Sequence, residues 1–117
     1  MNRERLQQMV TMLRNLPEDA IRFDLARWHD DENSCGTTAC AVGHACFNKV
    51  FTDQGLKLVD DVPNFNGYES WDAVEEFFEL SGPVSSDLFY SPHYPNGDRT
   101  TPGEVADRIE ALLASQS

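Results

Sequence analysis

Residues 39–46 constrain the fold more than any other segment, because nearly all of their side chains are small. The segment reads Ala-Cys-Ala-Val-Gly-His-Ala-Cys, and small side chains let a second element approach a helix closely. Thr37 and Thr38 precede it and can cap a helix. The sequence therefore predicts a buried central helix over Cys35–Phe51, around which the rest of the chain packs.

Apolar periodicity and capping residues predict the other helices. They are expected over residues 3–16, 70–80 and 85–89, and from 102 onward. The last is the best marked, since Thr101 and Glu104 form a capping box with Pro102 at the first helical position. Each of the longer helices has an apolar stripe that can face a common core.

One short strand is predicted at Leu56–Val59, where polar and apolar residues alternate, and residues near Phe23 are its expected partner. Pro63–Gly67 is interpreted as a turn-rich link. Together these predictions give a single domain over residues 1–117. Its class is mainly α, with α+β as the alternative, and it has four or five helices and a minor two-stranded β element.

Charge limits the classes of partner. The 117 residues include 20 Asp and Glu against 9 Lys and Arg, a formal net charge of −11. Such a surface repels phosphate backbones and anionic lipids, so direct nucleic-acid or membrane binding is not expected, and the partner should be a basic protein surface. No apolar stretch approaches the roughly 18 residues of a membrane span, and no export signal is recognised. A cytoplasmic location is therefore expected.

The acidic charge is concentrated where the helix over residues 70–80 is predicted, and no Lys or Arg occurs from residue 58 to 98. Helical spacing places Trp71, Val74, Phe77 and Phe78 on one side. The other side is predicted to be a partner-binding face that carries Glu69, Asp72, Glu75, Glu76 and Glu79. Four of these, at 69, 72, 76 and 79, follow one another at roughly 4.5–6 Å along the axis, a spacing similar to that of phosphates. The alternative is an ordinary solvated face.

Aromatic residues form the second candidate contact surface. Phe89, Tyr90 and Tyr94 lie in a segment rich in Pro, and large rings in loops are typical of contact surfaces. The alternative is a flap that packs over the domain's own core.

A zinc site is an alternative function. Cys35, Cys40, His44 and His29 offer two sulfur and two nitrogen ligands, the set that tetrahedral Zn²⁺ binds. Their spacing matches no established zinc pattern, and Cys40 with His44 can equally belong to the core.

A thiol enzyme is the other alternative function, with the Cys35 thiol activated at the helix N-terminus. Its surroundings depart from the Cys-Gly-Ser-Cys pattern of papain-like proteases, since three residues separate Cys35-Gly36 from Cys40 and Ala41 follows. Phosphate-binding loops and the other common catalytic motifs are absent from the sequence. No catalytic residue and no cofactor is predicted.

The chain also resembles a group of small uncharacterised proteins from bacteria and their phages. The resemblance rests on Trp28 followed by Cys-Gly-Thr-Thr-Ala-Cys-Ala-Val-Gly-His-Ala at 35–45, and extends to residues 71–80 and 101–105. It implies a prokaryotic or viral setting, which favours proteins that act on host machinery. The leading hypothesis is a non-enzymatic acidic binding module, of the phage inhibitor or regulator type, that presents its acidic helix to the nucleic-acid-binding surface of another protein.

Overall fold

The computed structural model describes residues 1–16, 22–23, 29–30, 38–60 and 62–115. Within these ranges the chain forms six α-helices, two turns of 3-10 helix and six short strands. The helices are α1 Arg3–Arg14, α2 Ala41–Ala45, α3 Lys49–Thr52, α4 Trp71–Phe78, α5 Gly82–Phe89 and α6 Pro102–Ser115. The strands are β1 Arg22–Phe23, β2 His29–Asp30, β3 Thr38–Ala39, β4 Lys57–Val59, β5 Val62–Phe65 and β6 Tyr68–Glu69.

Helices α1 and α6 pack against each other more extensively than any other two elements of the described chain. Leu6 and Met9 of α1 and Ile109 of α6 are fully buried in the shared core. Arg14, near the end of α1, pairs with Asp107, whereas Arg3 at its start bonds the carbonyl of Leu113. The two helices therefore run antiparallel.

The capping box of α6 forms as predicted. The Glu104 N–H donates to Thr101 Oγ1 at 3.2 Å, and the Thr101 N–H donates to Glu104 Oε1 at 3.4 Å. Both bonds satisfy backbone donors that the first helical turn leaves open.

The central helix is buried but much shorter than predicted. Every residue of α2 is buried, as small side chains allow. The Thr cap is wrong, since Thr38 lies in β3, and Cys40 caps α2 by accepting the Gly43 N–H on its Sγ at 3.3 Å. The continuous helix over Cys35–Phe51 is also wrong, because Asn48 accepts the Val50 N–H at 2.9 Å and so begins a separate helix, α3.

The strand at Lys57–Val59 is confirmed, but the predicted partner is wrong. It pairs antiparallel with β5, and β5 pairs antiparallel with β6, giving the order β4-β5-β6. Pro63–Gly67 is therefore mostly strand, and only Asn66–Gly67 forms the turn. The residues near Phe23 belong to a second sheet, in which β1 pairs parallel with β3 and β2 pairs antiparallel with β3.

A mainly helical fold is thus confirmed, although the described residues contain six α-helices and two three-stranded sheets where four or five helices and one two-stranded element were predicted. Helix α1 ends at Arg14, two residues before its predicted end, and Cys35 lies outside the described residues. None of the described helices combines the length and apolar character that crossing a bilayer demands.

Candidate functional site

Helix α4 has one buried face and one acidic face. Val74, Phe77 and Phe78 are fully buried, and Phe77 packs edge-on against Phe65 with ring centroids 5.0 Å apart. Trp71 is half-buried against the same core. The acidic residues of the helix, Asp72, Glu75 and Glu76, are exposed or half-buried. The division of faces predicted from the sequence is therefore the one observed.

The ends of the predicted acidic stripe leave the helix. Glu69 belongs to β6, and Glu79 follows the last helical residue in a left-handed conformation with φ 55°. The Leu80 N–H bonds back to the Glu75 carbonyl at 3.0 Å, which ends the helix at Phe78. A regular helical repeat over 69, 72, 76 and 79 is therefore wrong, because only positions 72 and 76 lie on α4.

Four of the predicted acidic residues nevertheless share a cleft of about 500 Å³. Its lining is Tyr68, Asp72, Glu75, Glu76, Glu79 and Leu80. Tyr68 is 47% exposed, so its ring is available beside the carboxylates. We call this region the acidic cleft; Glu69 is exposed but is not part of its lining.

Sequence reasoning missed Tyr68 and Leu80. The signal for Tyr68 was present, because Asn-Gly at 66–67 is a strong marker of a two-residue hairpin and places the next residue at the start of a strand. Leu80 reaches the cleft only because the chain turns sharply at Glu79.

Within the described part of the chain, no Lys or Arg forms an ion pair with an acid of the cleft. Arg14 instead pairs with Asp107 and Glu110 at 2.6 and 2.8 Å, and Lys49 pairs with Asp53 at 2.9 Å. The cleft acids therefore repel one another without a described cation to offset them.

Residues at the start of α1 form hydrogen bonds with the last turn of α4. The Asn2 N–H donates to the Phe78 carbonyl and Arg5 Nη1 donates to the Phe77 carbonyl, both at 2.8 Å. Asn2 Nδ2 also donates to Glu79 Oε2 at 3.0 Å. The Arg5 guanidinium lies 4.3 Å from the Phe77 ring centroid, and its positive charge suits a helix C-terminus. These contacts fix one end of the acidic cleft.

The aromatic segment is mainly a flap over the core. Phe89 is 2% exposed and Tyr94 is 6% exposed, so the prediction that these two contact a partner is wrong. The Tyr94 hydroxyl donates to the Leu88 carbonyl at 2.7 Å, and the Arg108 guanidinium lies 3.7 Å from its ring centroid. Burial raises the pKa of Tyr94 to about 12.

Tyr90 is the exception in this segment, since 45% of its surface is exposed. Its ring packs edge-on against Trp71, with centroids 5.9 Å apart. Of the three predicted aromatic contacts, Tyr90 alone presents a ring to solvent.

The structure places two of the four candidate zinc ligands. Cys40 and His44 are 2% and 6% exposed, and the Cys40 sulfur serves as the α2 cap. Cys35 and the side chain of His29 lie outside what the structure describes. Among the described residues, no three His, Cys, Asp or Glu side chains come together as a metal site.

The other described thiol is poorly suited to nucleophilic chemistry. Burial, with a smaller contribution from Cys40, raises the pKa of Cys46 to about 12. Because its pKa is so high, the Cys46 thiol is protonated at neutral pH. The reactive form of cysteine is the thiolate. Cys35, the predicted nucleophile, lies outside the described residues.

In comparisons with known proteins, no family model, no curated protein and no solved structure matches the chain.

Proposed function

We propose that the protein is a non-enzymatic binding module that presents the acidic cleft to a basic surface of a partner protein. The observation that carries this proposal is that four carboxylates line one cleft while no described cation pairs with them. The described ion pairs of Arg14 and Lys49 lie elsewhere. An approaching cation would relieve the repulsion among the cleft acids as well as gain its own attraction.

The lining of the cleft favours arginine or lysine side chains as the bound groups. Carboxylates form short, charge-assisted hydrogen bonds with guanidinium and ammonium groups. The exposed ring of Tyr68 adds a face for a cation–π contact, and Leu80 offers apolar surface to the methylene stem of a long basic side chain.

The resemblance to small bacterial and phage proteins extends the proposal to an inhibitor or regulator of host machinery. In that setting the partner's basic surface is one that normally binds nucleic acid, since such surfaces carry clustered Arg and Lys. The cleft carboxylates would then occupy positions that phosphates take.

The test uses a labelled arginine-rich peptide and two double variants with equal net charge. Asp72→Lys with Glu76→Lys alters the cleft, whereas Glu4→Lys with Asp87→Lys alters exposed acids outside its lining that pair with no described Lys or Arg. Fluorescence anisotropy in low salt is expected to show roughly tenfold or greater weakening for the cleft variant, and a much smaller change for the control. Added salt should reduce binding by the natural chain.

Equal weakening by both variants would mean that net charge alone attracts the peptide, and the proposal would be wrong. Thermal melts of both variants guard against a loss caused by unfolding. Capture from bacterial lysate at low and high salt, with the same two variants as bait, then identifies partners that depend on the cleft.

A further inference from the structure

The chain contains two Asn-Gly steps, at Asn66–Gly67 and at Asn96–Gly97, in very different surroundings. Glycine has no β-carbon to shield its backbone nitrogen, so this nitrogen can approach the side-chain amide carbon of the preceding asparagine. The two steps therefore share the same intrinsic chemistry, and the fold decides which can react.

Asn66–Gly67 forms the tip of the β5–β6 hairpin. Phe65 pairs with Tyr68, which leaves a two-residue loop, and φ is 52° at Asn66 and 86° at Gly67, as a type I′ turn requires. Both residues are exposed, and a β-carbon added to Gly67 would meet nothing within 4 Å. Within the described chain, neither the Asn66 side chain nor the Gly67 N–H has a hydrogen-bond partner.

At Asn96–Gly97, both groups that would react, the Asn96 side-chain amide and the Gly97 N–H, form hydrogen bonds. Asn96 Nδ2 donates to both carboxylate oxygens of Glu104 at 3.2 Å, and the Gly97 N–H donates to the Tyr94 carbonyl at 3.1 Å. Glu104 is itself fixed by the capping box with Thr101. Reaction at this step requires several hydrogen bonds to open together.

We infer that Asn66 is a site of spontaneous deamidation, with water as the co-reactant, and that the fold protects Asn96. The Gly67 backbone nitrogen gives up its proton and forms a bond to Asn66 Cγ. The bond between Cγ and Nδ2 breaks, and the nitrogen leaves as ammonia. Water then opens the cyclic imide to aspartate or isoaspartate, and nothing is oxidised or reduced.

The product adds a negative charge to the hairpin two residues before Tyr68, which lines the acidic cleft. Isoaspartate also inserts a methylene into the backbone of a two-residue loop, which the type I′ geometry does not accommodate. The inference stands independently of the proposed function, since it concerns only the chemistry of the hairpin.

The test incubates the folded full chain at mildly alkaline pH and follows both asparagines by peptide mapping and mass spectrometry. Asn66 is expected to convert roughly tenfold faster than Asn96, because the bonds around Asn96 must open first. In guanidinium chloride the two deamidation rates should become similar, because unfolding removes the hydrogen bonds around Asn96 and both asparagines precede a glycine.

Two variants sharpen the result. Glu104→Ala removes both acceptors of the Asn96 amide and should speed conversion at Asn96 while leaving Asn66 unchanged. Asn66→Gln should remove the fast phase. Comparable rates at the two sites in the folded chain, or a rate difference that persists in denaturant, would overturn the inference.

Discussion

The protein has two acidic surfaces, one on α6 and one on α4, that differ in whether a basic side chain pairs with their carboxylates. On α6, Asp107 and Glu110 are both paired with Arg14, which reaches across from α1. On α4, the acids of the cleft have no described cation beside them, although Arg5 lies at the same end of the helix and bonds its backbone instead. The difference teaches that the carboxylates between α1 and α6 link two helices, whereas those of the cleft form no ion pair with a described Lys or Arg.

The largest expected effect is a difference in stability between variants on the two faces of α4. Phe77→Ala should lower the free energy of unfolding by about 3–5 kcal/mol, because Phe77 is fully buried against Phe51, Phe65 and Phe78. Chemical denaturation measures the change, with Glu76→Ala as the control on the opposite face. If the two variants were equally destabilising, the division of α4 into a structural and an available face would be wrong.

Tyr94 and Tyr90 make the same comparison within the aromatic segment. Tyr94→Phe should cost about 1 kcal/mol through loss of the hydrogen bond to the Leu88 carbonyl, whereas Tyr90→Phe should cost little. Urea unfolding of the two variants at neutral pH provides the measurement. Equal losses would contradict the assignment of Tyr94 to the core.

The same residue predicts an alkaline limit to stability. The folded-state pKa of Tyr94 is raised to about 12 from the ordinary tyrosine value of 10.0, so the folded chain binds this proton more tightly than the unfolded chain. The stability that Tyr94 contributes should therefore be fully present below pH 10 and be lost between pH 10 and 12. Tyr94→Phe should flatten this fall in part, since the buried thiol of Cys46, with a pKa raised to about 12, contributes in the same direction.

The smallest effects test the two acidic surfaces directly, and they are expected to differ in sign. Asp107→Asn removes a partner of Arg14 and should slightly destabilise the fold at low salt. Glu76→Gln should stabilise it by a few tenths of a kcal/mol, since the charge repels its neighbours and lies in the last turn of α4. Thermal melts over a salt series provide the measurement, and both effects should shrink as salt increases. A loss of stability in Glu76→Gln would show that this carboxylate already has a stabilising partner.

Local rules were enough for the elements whose signals lie within a few residues. The capping box at Thr101–Glu104 and the two faces of α4 were both predicted, because each depends on neighbours along the chain or on helical spacing. Four of the six residues that line the cleft were predicted: the three acids on α4, which follow from helical spacing, and Glu79, which lies beyond the helix.

The predictions that failed involve a proline within a strand, an atypical cap and the packing of a later helix. Lys57–Val59 pairs with Val62–Phe65 across a short connection, and this partner was missed because Pro63 is typical of turns and edge strands rather than of the middle of a sheet. A cysteine sulfur is a weak acceptor, and no capping rule would choose Cys40 over Thr38. The burial of Phe89 and Tyr94 depends on α6, which is remote in sequence.

The hydrogen bonds from Asn2 and Arg5 to the carbonyls of Phe78 and Phe77 join residues that are far apart in the sequence, so they cannot form early in synthesis on the ribosome. The first helix is synthesised early but finds its partners only after α4 has emerged, and its apolar stripe must wait still longer for α6. Contacts between such distant residues slow folding, since the intervening loop must close before they form. A nascent chain therefore exposes the apolar side of α1 at least until α6 has emerged.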